Sequence, residues 1–331
     1  MSSVTAPVTS HAIRIYQNGG PDVLQWEEVS VGDPGPGEVR VRNTAVGLNF
    51  IDTYHRSGLY PMPLPLTLGS EGAGVIEALG PKVKGFKVGD RVAYAQPIGA
   101  YAEVLIRPVA RLVKIPAGVS DQTAAAMMLK GMTAWYLLRR TYKVQKGDTI
   151  LVHAAAGGVG QILCQWGKHL GATVIGTVGS DAKAAIAKKA GCKHVIVAAN
   201  EKISQRVRDI TKGRGVPVVY DGIGKETFME SLDCLSPLGV MASFGNASGA
   251  VPPVNIGILA QKGSLFLTRP TLVNYTATRE DLDRAAKDLF AVVKAGKVKI
   301  SINQTYPLRE AAQAHRDLEG RKTTGSTVLL P

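Results

Sequence analysis

The sequence predicts an α/β fold in which a doubly wound parallel sheet is combined with a β-rich part built as a partly open barrel. Two patterns support this prediction. Short alternating segments separated by Gly and Pro fill the first third of the chain, which is typical of small barrels. From residue 149 onward, strand-like and helix-like segments alternate, which indicates parallel strands covered by helices on both faces. The length of 331 residues suits about two domains.

The barrel part is predicted from three strand-like segments. Residues 39–46 alternate apolar and polar side chains after a turn rich in Pro and Gly, and 72–79 and 91–95 are similar. Three prolines exclude a helix from the loop 60–69, because proline lacks a donor and restricts the residue before it.

The next elements begin at Ser120, which precedes an apolar helix reaching Met128 as an N-cap residue does. A second helix is predicted over 131–142. The alternating part is then predicted to have strands at 149–153, 173–178, 194–197, 216–221 and 239–244, with helices at 158–170, 182–190, 202–211 and 228–235.

The last part of the chain is predicted to return to the barrel. A helix over 279–294 is followed by strand-like segments at 298–302 and 326–330. We therefore expect a catalytic domain made of 1–129 and 272–331, and a nucleotide-binding domain over 130–271.

Composition excludes several classes of protein. Hydrophobic residues make up 45% and charged residues 20% of the chain, as in globular proteins and unlike disordered or fibrous ones. The three cysteines lie far apart and cannot form a disulfide framework, so we expect a reducing compartment, the cytoplasm. No apolar run reaches about 18 residues, so no membrane span is expected.

The net charge of +13 raises the question of nucleic-acid binding. The basic residues are scattered in short groups mixed with Gly, Val and Ala. Nucleic-acid binding therefore stays open but is not favoured over an anionic small molecule or solubility as the reason for the charge.

The strongest motif is the segment 147–168, which reads GDTILVHAAAGGVGQILCQWGK. A strand, a turn of small residues and a helix starting near Gly158 place Ala155, Gly157 and Gly160 at the three positions of the Rossmann-type G-x-G-x-x-G pattern. Small residues let the backbone approach a pyrophosphate, and the N–H groups at the helix start bind its charge. Ala155 departs from the pattern and is tolerated if its φ stays negative.

The end of the second strand distinguishes between the two nicotinamide cofactors. NAD-binding proteins usually carry Asp or Glu there, which binds the ribose 2′-OH. Here Gly179, Ser180 and Lys183 suit a 2′-phosphate, so we expect NADP(H). Asp181 could face the ribose instead, but its place favours N-terminal capping of the next helix. A solvated surface lysine is the alternative for Lys183.

Further blocks carry a family resemblance: NFIDTY at 49–54, GSEGAG at 69–74, GDRV at 89–92 and SFGNASG at 243–249. With the glycine turn, they resemble the zinc-independent quinone oxidoreductases, the zeta-crystallin relatives in the medium-chain dehydrogenase/reductase superfamily. The resemblance extends from Ala12 to Pro331. It implies a GroES-like catalytic domain beside the Rossmann-type domain.

The resemblance also bears on metal binding. Zinc-dependent members of the superfamily have Cys where this chain has Asn49 and His where it has Ser70, and neither replacement is a usual zinc ligand. No metal is therefore expected. Hydride addition to a quinone gives a delocalised anion less basic than an alkoxide, so a Lewis acid is less necessary.

The activity that the resemblance implies is hydride transfer from NADPH to a quinone in the cleft between the domains. The contribution of the protein would be to position the reactants and to supply hydrogen-bond donors. Two alternatives stay open. The first is an NADPH-dependent reductase of α,β-unsaturated aldehydes or ketones. The second is an RNA-binding or structural, crystallin-like protein that retains a cofactor site.

The resemblance implies a set of site residues. Asn49, Tyr54 and Lys130 would position the substrate and the nicotinamide. The cofactor contacts would be Asn49, Tyr60, Thr133, Gly157, Gly158, Val159, Gly179, Ser180, Lys183, Phe244, Gly245, Ser248 and Arg321. Packing aromatics are the alternative for the two tyrosines, and a turn residue for Asn49. Gly222 departs from the family, which often has Ser there.

A strand-like segment at 265–268 is expected at the edge of the parallel sheet. An exposed apolar edge needs a cover or a partner. The resemblance implies a homodimer that pairs around 265–270, with the chain's own loops as the alternative cover.

Overall fold

The computed structural model describes residues 7–331, which divide into two compact units. The first unit contains the chain up to Leu129 together with Thr276–Phe290 and Ile300–Pro331. The second contains Lys130–Tyr275 and Ala291–Lys299. The domain ranges expected from the sequence stay a prediction, since contact units alone do not establish which parts fold independently.

The described part of the chain contains strands and helices throughout. In chain order the strands are β1 (Val8–Ile15), β2 (Gln25–Val31), β3 (Glu38–Leu48), β4 (Leu66–Thr67), β5 (Glu71–Leu79), β6 (Arg91–Tyr94), β7 (Val104–Pro108), β8 (Val113–Lys114), β9 (Thr149–Val152), β10 (Thr173–Val178), β11 (His194–Val197), β12 (Val216–Asp221), β13 (Leu235–Ser243), β14 (Phe266–Thr268), β15 (Ile302–Pro307) and β16 (Ser326–Leu330). The α-helices are α1 (Phe50–Ser57), α2 (Asp121–Ala125), α3 (Met128–Tyr136), α4 (Gly158–His169), α5 (Asp181–Lys189), α6 (Ile203–Ile210), α7 (Phe228–Cys234), α8 (Gly257–Gln261), α9 (Leu272–Tyr275), α10 (Arg279–Lys294) and α11 (Ala311–Glu319).

The first unit is built on a seven-stranded sheet in the order β15-β16-β3-β5-β6-β8, with β7 also paired to β3. The long strand β3 pairs with β7 through residues 38–42 and with β16 through residues 46–48. A three-stranded sheet, β2-β1-β4, completes the unit. Apolar side chains from both sheets form one core, in which Ile13, Val41 and Leu329 are almost completely buried. This is the predicted β-rich, barrel-like part.

The second unit contains a six-stranded parallel sheet in the order β11-β10-β9-β12-β13-β14. Numbered along the chain, this is the 3-2-1-4-5-6 order of the Rossmann fold. The order reverses between β9 and β12, and ligands of such sheets bind beyond the carboxyl ends of the strands at that point. The predicted fold class is confirmed.

The predicted strand 298–302 and the predicted helix 131–142 both differ from the structure. The predicted strand 298–302 is wrong: β15 begins at Ile302, because residues 297–299 bond elsewhere. The N–H groups of Lys297 and Val298 donate to the last turn of α10, and both backbone groups of Lys299 bind the Gln165 side chain. The helix predicted over 131–142 begins earlier, as α3 at Met128, and continues as a π-helical turn over Leu137–Thr141.

The predicted helix start at Ser120 is confirmed. Its hydroxyl accepts a hydrogen bond from the N–H of Thr123 at 3.1 Å, which is the N-cap geometry. The helix itself is shorter than predicted and ends at Ala125. Within residues 7–331, no helix combines the length and apolar character needed to cross a membrane.

Candidate functional site

The turn after β9 carries the glycines predicted to bind a dinucleotide. As predicted, α4 begins at Gly158, with Gly157 as its N-cap. A Cβ on Gly160 would lie 2.2 Å from the carbonyl oxygen of Ala154, so a side chain there would force the helix away from the turn. Val159 and the two glycines before it are partly exposed. The Gly157 N–H donates to the Ala154 carbonyl at 2.9 Å, whereas the N–H groups of Gly158 and Val159 have no intrahelical acceptor, so this helix start can bind an anion.

Ala155 replaces the first glycine of the pattern, and the neighbouring strand accommodates it. Its N–H donates to the carbonyl of Thr177 on β10 at 2.9 Å. A Cβ on Gly176 would lie 2.7 Å from the Ala155 methyl group. The missing side chain at Gly176 therefore provides the space that the alanine fills.

The end of β10 forms a short exposed turn of small residues. Gly179 and Ser180 are exposed, and Ser180 is the N-cap of α5. Lys183, in the first turn of α5, is half-buried, and its N–H donates to the Ser180 carbonyl at 3.0 Å. The N-cap position predicted for Asp181 is thus taken by Ser180. The Asp181 carboxylate instead accepts a hydrogen bond from the side-chain amide of Asn200 at 3.2 Å.

A buried polar chain links the ends of three strands at the residue just before the glycine turn. Ser231 Oγ donates to Asp221 Oδ2 at 2.9 Å, which uses its only proton. His153 Nε2 must therefore donate to Ser231 Oγ at 2.9 Å, and His153 Nδ1 accepts from Thr177 Oγ1 at 3.0 Å. Burial lowers the pKa of His153, which keeps the ring neutral. Both ring nitrogens of His153 are therefore used inside the protein, which gives this residue a structural role.

Two glycines let the turn after β12 pack against the turn after β13. A Cβ on Gly245 would lie 2.4 Å from the Gly222 carbonyl oxygen, and a Cβ on Gly222 would lie 3.0 Å from the Phe244 ring. Ser248 holds this arrangement, since its hydroxyl donates to one backbone carbonyl at 2.9 Å and accepts from a backbone N–H at 3.0 Å. Gly222 thus makes room for Phe244, which a serine there would crowd.

In the first unit, Asn49 lies in a network of buried carboxylates. Its Nδ2 donates to Glu71 Oε1 at 2.9 Å, and its backbone N–H donates to Asp52 Oδ2 at 2.9 Å. Ser70 Oγ donates to Asp52 Oδ1 at 2.7 Å. The other oxygen of Glu71 accepts from the N–H of Leu129 at 2.6 Å. The protons of Asn49 and Ser70 are therefore directed into the protein.

The two tyrosines predicted for the site lie together at α1. Tyr54 is on the helix and Tyr60 follows it, with ring centroids 5.1 Å apart in an edge-on arrangement. The Tyr60 N–H donates to the Tyr54 carbonyl at 3.1 Å. Phe50 flanks Tyr54 at 6.4 Å. Tyr54 is buried and Tyr60 is half-buried, so the three rings form an aromatic cluster beside Asn49 in sequence.

A second buried chain also ends at Asp52 on α1. Arg56 donates to both oxygens of Glu319, at 3.0 and 2.7 Å, and to His315 Nδ1 at 2.9 Å. His315 Nε2 lies 3.1 Å from the Tyr101 hydroxyl, which donates to Asp52 Oδ2 at 3.1 Å. Burial, with the charge of Arg56, lowers the pKa of His315 to about 3. The imidazole is therefore neutral.

The remaining predicted site residues are distributed over both units. Lys130 and Thr133 are buried on α3 in the second unit. Arg321 is exposed after α11 in the first unit, with a left-handed φ of +58°. Residues that are distant in sequence come close in each unit: Gly222 lies against Phe244 and Gly245 in the second, and Asn49 and Ser70 both bind Asp52 in the first.

Several residues were missed by the sequence analysis. Asp52, Glu71, Tyr101 and His315 were not proposed, although all four are buried. Asp52 and Glu71 stand in blocks already singled out, NFIDTY and GSEGAG, where each is the one charged residue of its block, and this was a usable signal.

Comparisons with known proteins find relatives that match nearly the full length of this chain. The zinc-binding dehydrogenase family model matches residues 158–291, and the alcohol dehydrogenase GroES-like domain model matches residues 35–117. A quinone oxidoreductase of Pseudomonas aeruginosa is 56% identical over 96% of this chain and 99% of its own. A 2-haloacrylate reductase of a Burkholderia species is 51% identical over 96% of this chain and 98% of its own. The structure of the Escherichia coli quinone oxidoreductase complexed with NADPH has a TM-score of 0.95 at 50% identity, covering 98% of this chain and 100% of that one.

The match to the zinc-binding dehydrogenase model raises the question whether this chain can bind zinc. The amide of Asn49 and the hydroxyl of Ser70 are not usual zinc ligands, and both donate to buried carboxylates. Within residues 7–331, no group of three or more His, Cys, Asp or Glu side chains is arranged to hold a metal. The residues at these positions do not fit a zinc ion.

Proposed function

This chain belongs to the quinone oxidoreductase family of the medium-chain dehydrogenase/reductase superfamily, and we propose that it transfers a hydride from NADPH to a quinone. The observation that best supports the cofactor is the end of β10. There, Gly179, Ser180 and Lys183 form a turn of small and basic residues suited to a 2′-phosphate. The quinone oxidoreductases among its relatives support the class of acceptor.

We propose that three groups of residues in the second unit contact NADPH. They are Gly157, Gly158 and Val159 for the pyrophosphate, Gly179, Ser180 and Lys183 for the adenosine phosphate, and Phe244, Gly245 and Ser248 for the nicotinamide half. Lys130 and Thr133 would line the nicotinamide region, and Tyr60 and Arg321 would also contact the cofactor. The helix start at Gly158 supports the first group most strongly, because its N–H groups are available to an anion.

The hydrogen bonds of Asn49 refine the role predicted for it. Nδ2 donates to Glu71 and to the Gly47 carbonyl, at 2.9 and 3.4 Å, and the side-chain oxygen faces the N–H of Asp52 in a capping box, so the capacity left for a ligand is the second lone pair of Oδ1. An acceptor cannot stabilise a developing oxyanion. We therefore assign Asn49 to accept a hydrogen bond from the cofactor. Tyr54 is then the residue that orients the quinone.

When bound, NADPH supplies the hydride. The protein has little charge to stabilise, since a quinone that gains a hydride spreads its negative charge over the ring. What this chain contributes is orientation of the two reactants, worth up to about 7–11 kcal/mol in well-positioned systems. Solvent delivers the proton in this proposal.

The cofactor assignment is tested by replacing Lys183 with Ala. We expect KM for NADPH to rise about tenfold or more and KM for NADH to stay within twofold, because only NADPH carries the phosphate that the ammonium would bind. Lys188→Ala, an exposed lysine in the last turn of the same helix, is the matched control. Equal effects on both cofactors would contradict the assignment.

A reductase of conjugated carbonyl compounds is the second candidate. The observation that favours it is the 51% identity to a 2-haloacrylate reductase. Steady-state kinetics with NADPH against a panel of quinones, enones and conjugated acids decides between the two. A kcat/KM that is highest for quinones supports the first proposal, and one that is highest for enones or acrylates supports the second.

We also propose that the chain forms a homodimer through β14 and resides in the cytoplasm. In the described sheet, β14 pairs only with β13, and Phe266 and Leu267 on it expose 60% and 42% of their surface. Such an apolar edge suits a second copy. Sedimentation should give a dimer for the wild type and a monomer for Leu267→Lys.

The proposed location in the cytoplasm rests on the cysteines. All three are free thiols, which supports a reducing compartment.

A further inference from the structure

We propose that Tyr101 and His315 are positioning residues for the part of the site that binds the hydride-accepting substrate, because together they hold helix α1 at two points. The proposal rests on the function proposed above, since α1 follows Asn49 and carries Tyr54. Neither residue belongs to the blocks on which the family resemblance rests. Both are completely buried in the first unit.

The direction of each hydrogen bond in this chain can be assigned from chemistry. A guanidinium only donates, so His315 Nδ1 accepts from Arg56. Nε2 therefore carries the proton of the neutral ring and donates to the Tyr101 oxygen, 3.1 Å away. The Tyr101 proton is then directed to Asp52 Oδ2, at 3.1 Å. Only this Nε2–H tautomer satisfies every contact.

The chain contacts α1 at residues four positions apart. Asp52 and Arg56 lie on one face of the helix, because four residues make slightly more than one turn. Tyr101 binds the first and His315 the second, and His315 and Tyr101 bind each other. Two contacts on one face, braced against each other, fix the rotation of the helix as well as its distance. Tyr54 projects from a different side, so its direction depends on that rotation.

The stability of the folded protein does not require this buried chain of polar side chains. Tyr101, His315 and Asp52 are completely buried and Arg56 is 2% exposed, so desolvation opposes each charged group. Apolar side chains of similar volume often stabilise a core at least as well. A fully satisfied polar network, in contrast, holds its members in one geometry. We infer that the role of this polar network is to orient α1.

The experiment compares Tyr101→Phe with Tyr94→Phe. Tyr94 is also a buried tyrosine of the first unit, and its hydroxyl donates to Asn43 Oδ1 at 2.8 Å rather than to a residue of α1. Each variant loses one buried hydroxyl and should lose similar stability. We expect Tyr101→Phe to lower kcat/KM for the quinone about tenfold and to leave the Kd for NADPH within twofold. Tyr94→Phe should change neither value more than twofold.

A second pair of variants covers the case in which Tyr101→Phe does not fold. In His315→Gln, the amide oxygen can accept from Arg56 and the amide nitrogen can donate to Tyr101. The kcat/KM for the quinone should therefore stay close to that of the wild type. His315→Leu breaks both contacts and should behave as Tyr101→Phe. The rescue by Gln is a result that a packing role alone would not give.

The outcomes separate the inference from the function on which it rests. A wild-type protein that reduces neither quinones nor conjugated carbonyl compounds with NADPH overturns both. An active wild type in which Tyr101→Phe and Tyr94→Phe have the same kinetics overturns the inference alone. The same holds if His315→Leu is as active as His315→Gln.

Discussion

Replacement of His315 by Gln is expected to change how stability depends on pH. Burial and then the charge of Arg56 lower the pKa of His315 from 6.5 to about 3. In the folded protein the ring is therefore neutral from pH 7 to pH 5. In the unfolded chain it titrates near its usual value of about 6.5. Glutamine occupies the same place and does not titrate.

The sign and the size follow from proton binding. Since the pKa is lower in the folded state, the unfolded state binds the extra proton, and stability falls as pH falls from 6.5 towards 3. At pH 5 the unfolded ring is almost fully protonated, which favours unfolding by about 2 kcal/mol relative to pH 7. Any folded-state pKa below about 4.5 gives nearly the same figure, because the folded ring then stays neutral at pH 5.

The assay is equilibrium unfolding in guanidinium chloride at pH 7 and pH 5 for the wild type and for His315→Gln. His55, His153 and His194, whose pKa values are also lowered by burial, are present in both proteins, so their contributions cancel in the comparison. The wild type should lose about 2 kcal/mol more than the variant over this interval. Equal losses in the two proteins would refute the assignment of a neutral, buried imidazole.

Three further substitutions are expected to separate binding from catalysis. Gly160→Ala places a methyl group 2.2 Å from a carbonyl oxygen, so the Kd for NADPH, measured by fluorescence titration, should rise about tenfold or more, whereas Gly32→Ala, in open space, should leave it unchanged. Gly222→Ser crowds the ring of Phe244 and should raise KM for NADPH about threefold; an unchanged KM would show that the ring shifts without cost. Tyr54→Phe should raise KM for the quinone more than it lowers kcat, and a loss in kcat of about 10³-fold would instead indicate direct proton donation.

The second unit could be predicted well because its signals are local. The glycine turn needs small residues at fixed spacing directly after a strand, and α4 begins at Gly158 as the pattern requires. The exchange of Gly for Ala at position 155 could not be explained from the motif alone. Its compensation lies at Gly176, on the neighbouring strand β10.

The candidate site in the first unit was predictable only in part. Asn49 was identified by resemblance, but α1 was not predicted, although Asp52 three residues later satisfies the backbone at its start. The contact of Tyr101 with His315 joins residues 214 positions apart, and no local pattern indicates it. The misplaced strand at 298–302 has the same cause, since Gln165, far away in sequence, binds the backbone of Lys299.

The position of β16 in its sheet has a consequence for the order in which the protein is assembled during synthesis. The six strands of the parallel sheet are contiguous in the chain, from 149 to 268, so they can pair as soon as they leave the ribosome. The sheet of the first unit can be completed only at the end of synthesis, because β16, the last strand of the chain, lies between β15 and β3. Its partners on β3 are Val46–Leu48, the residues directly before Asn49. The segment before Asn49 can therefore pair early with β5, through Val46 and Gly47, but gains its second neighbour, β16, only at the end of synthesis.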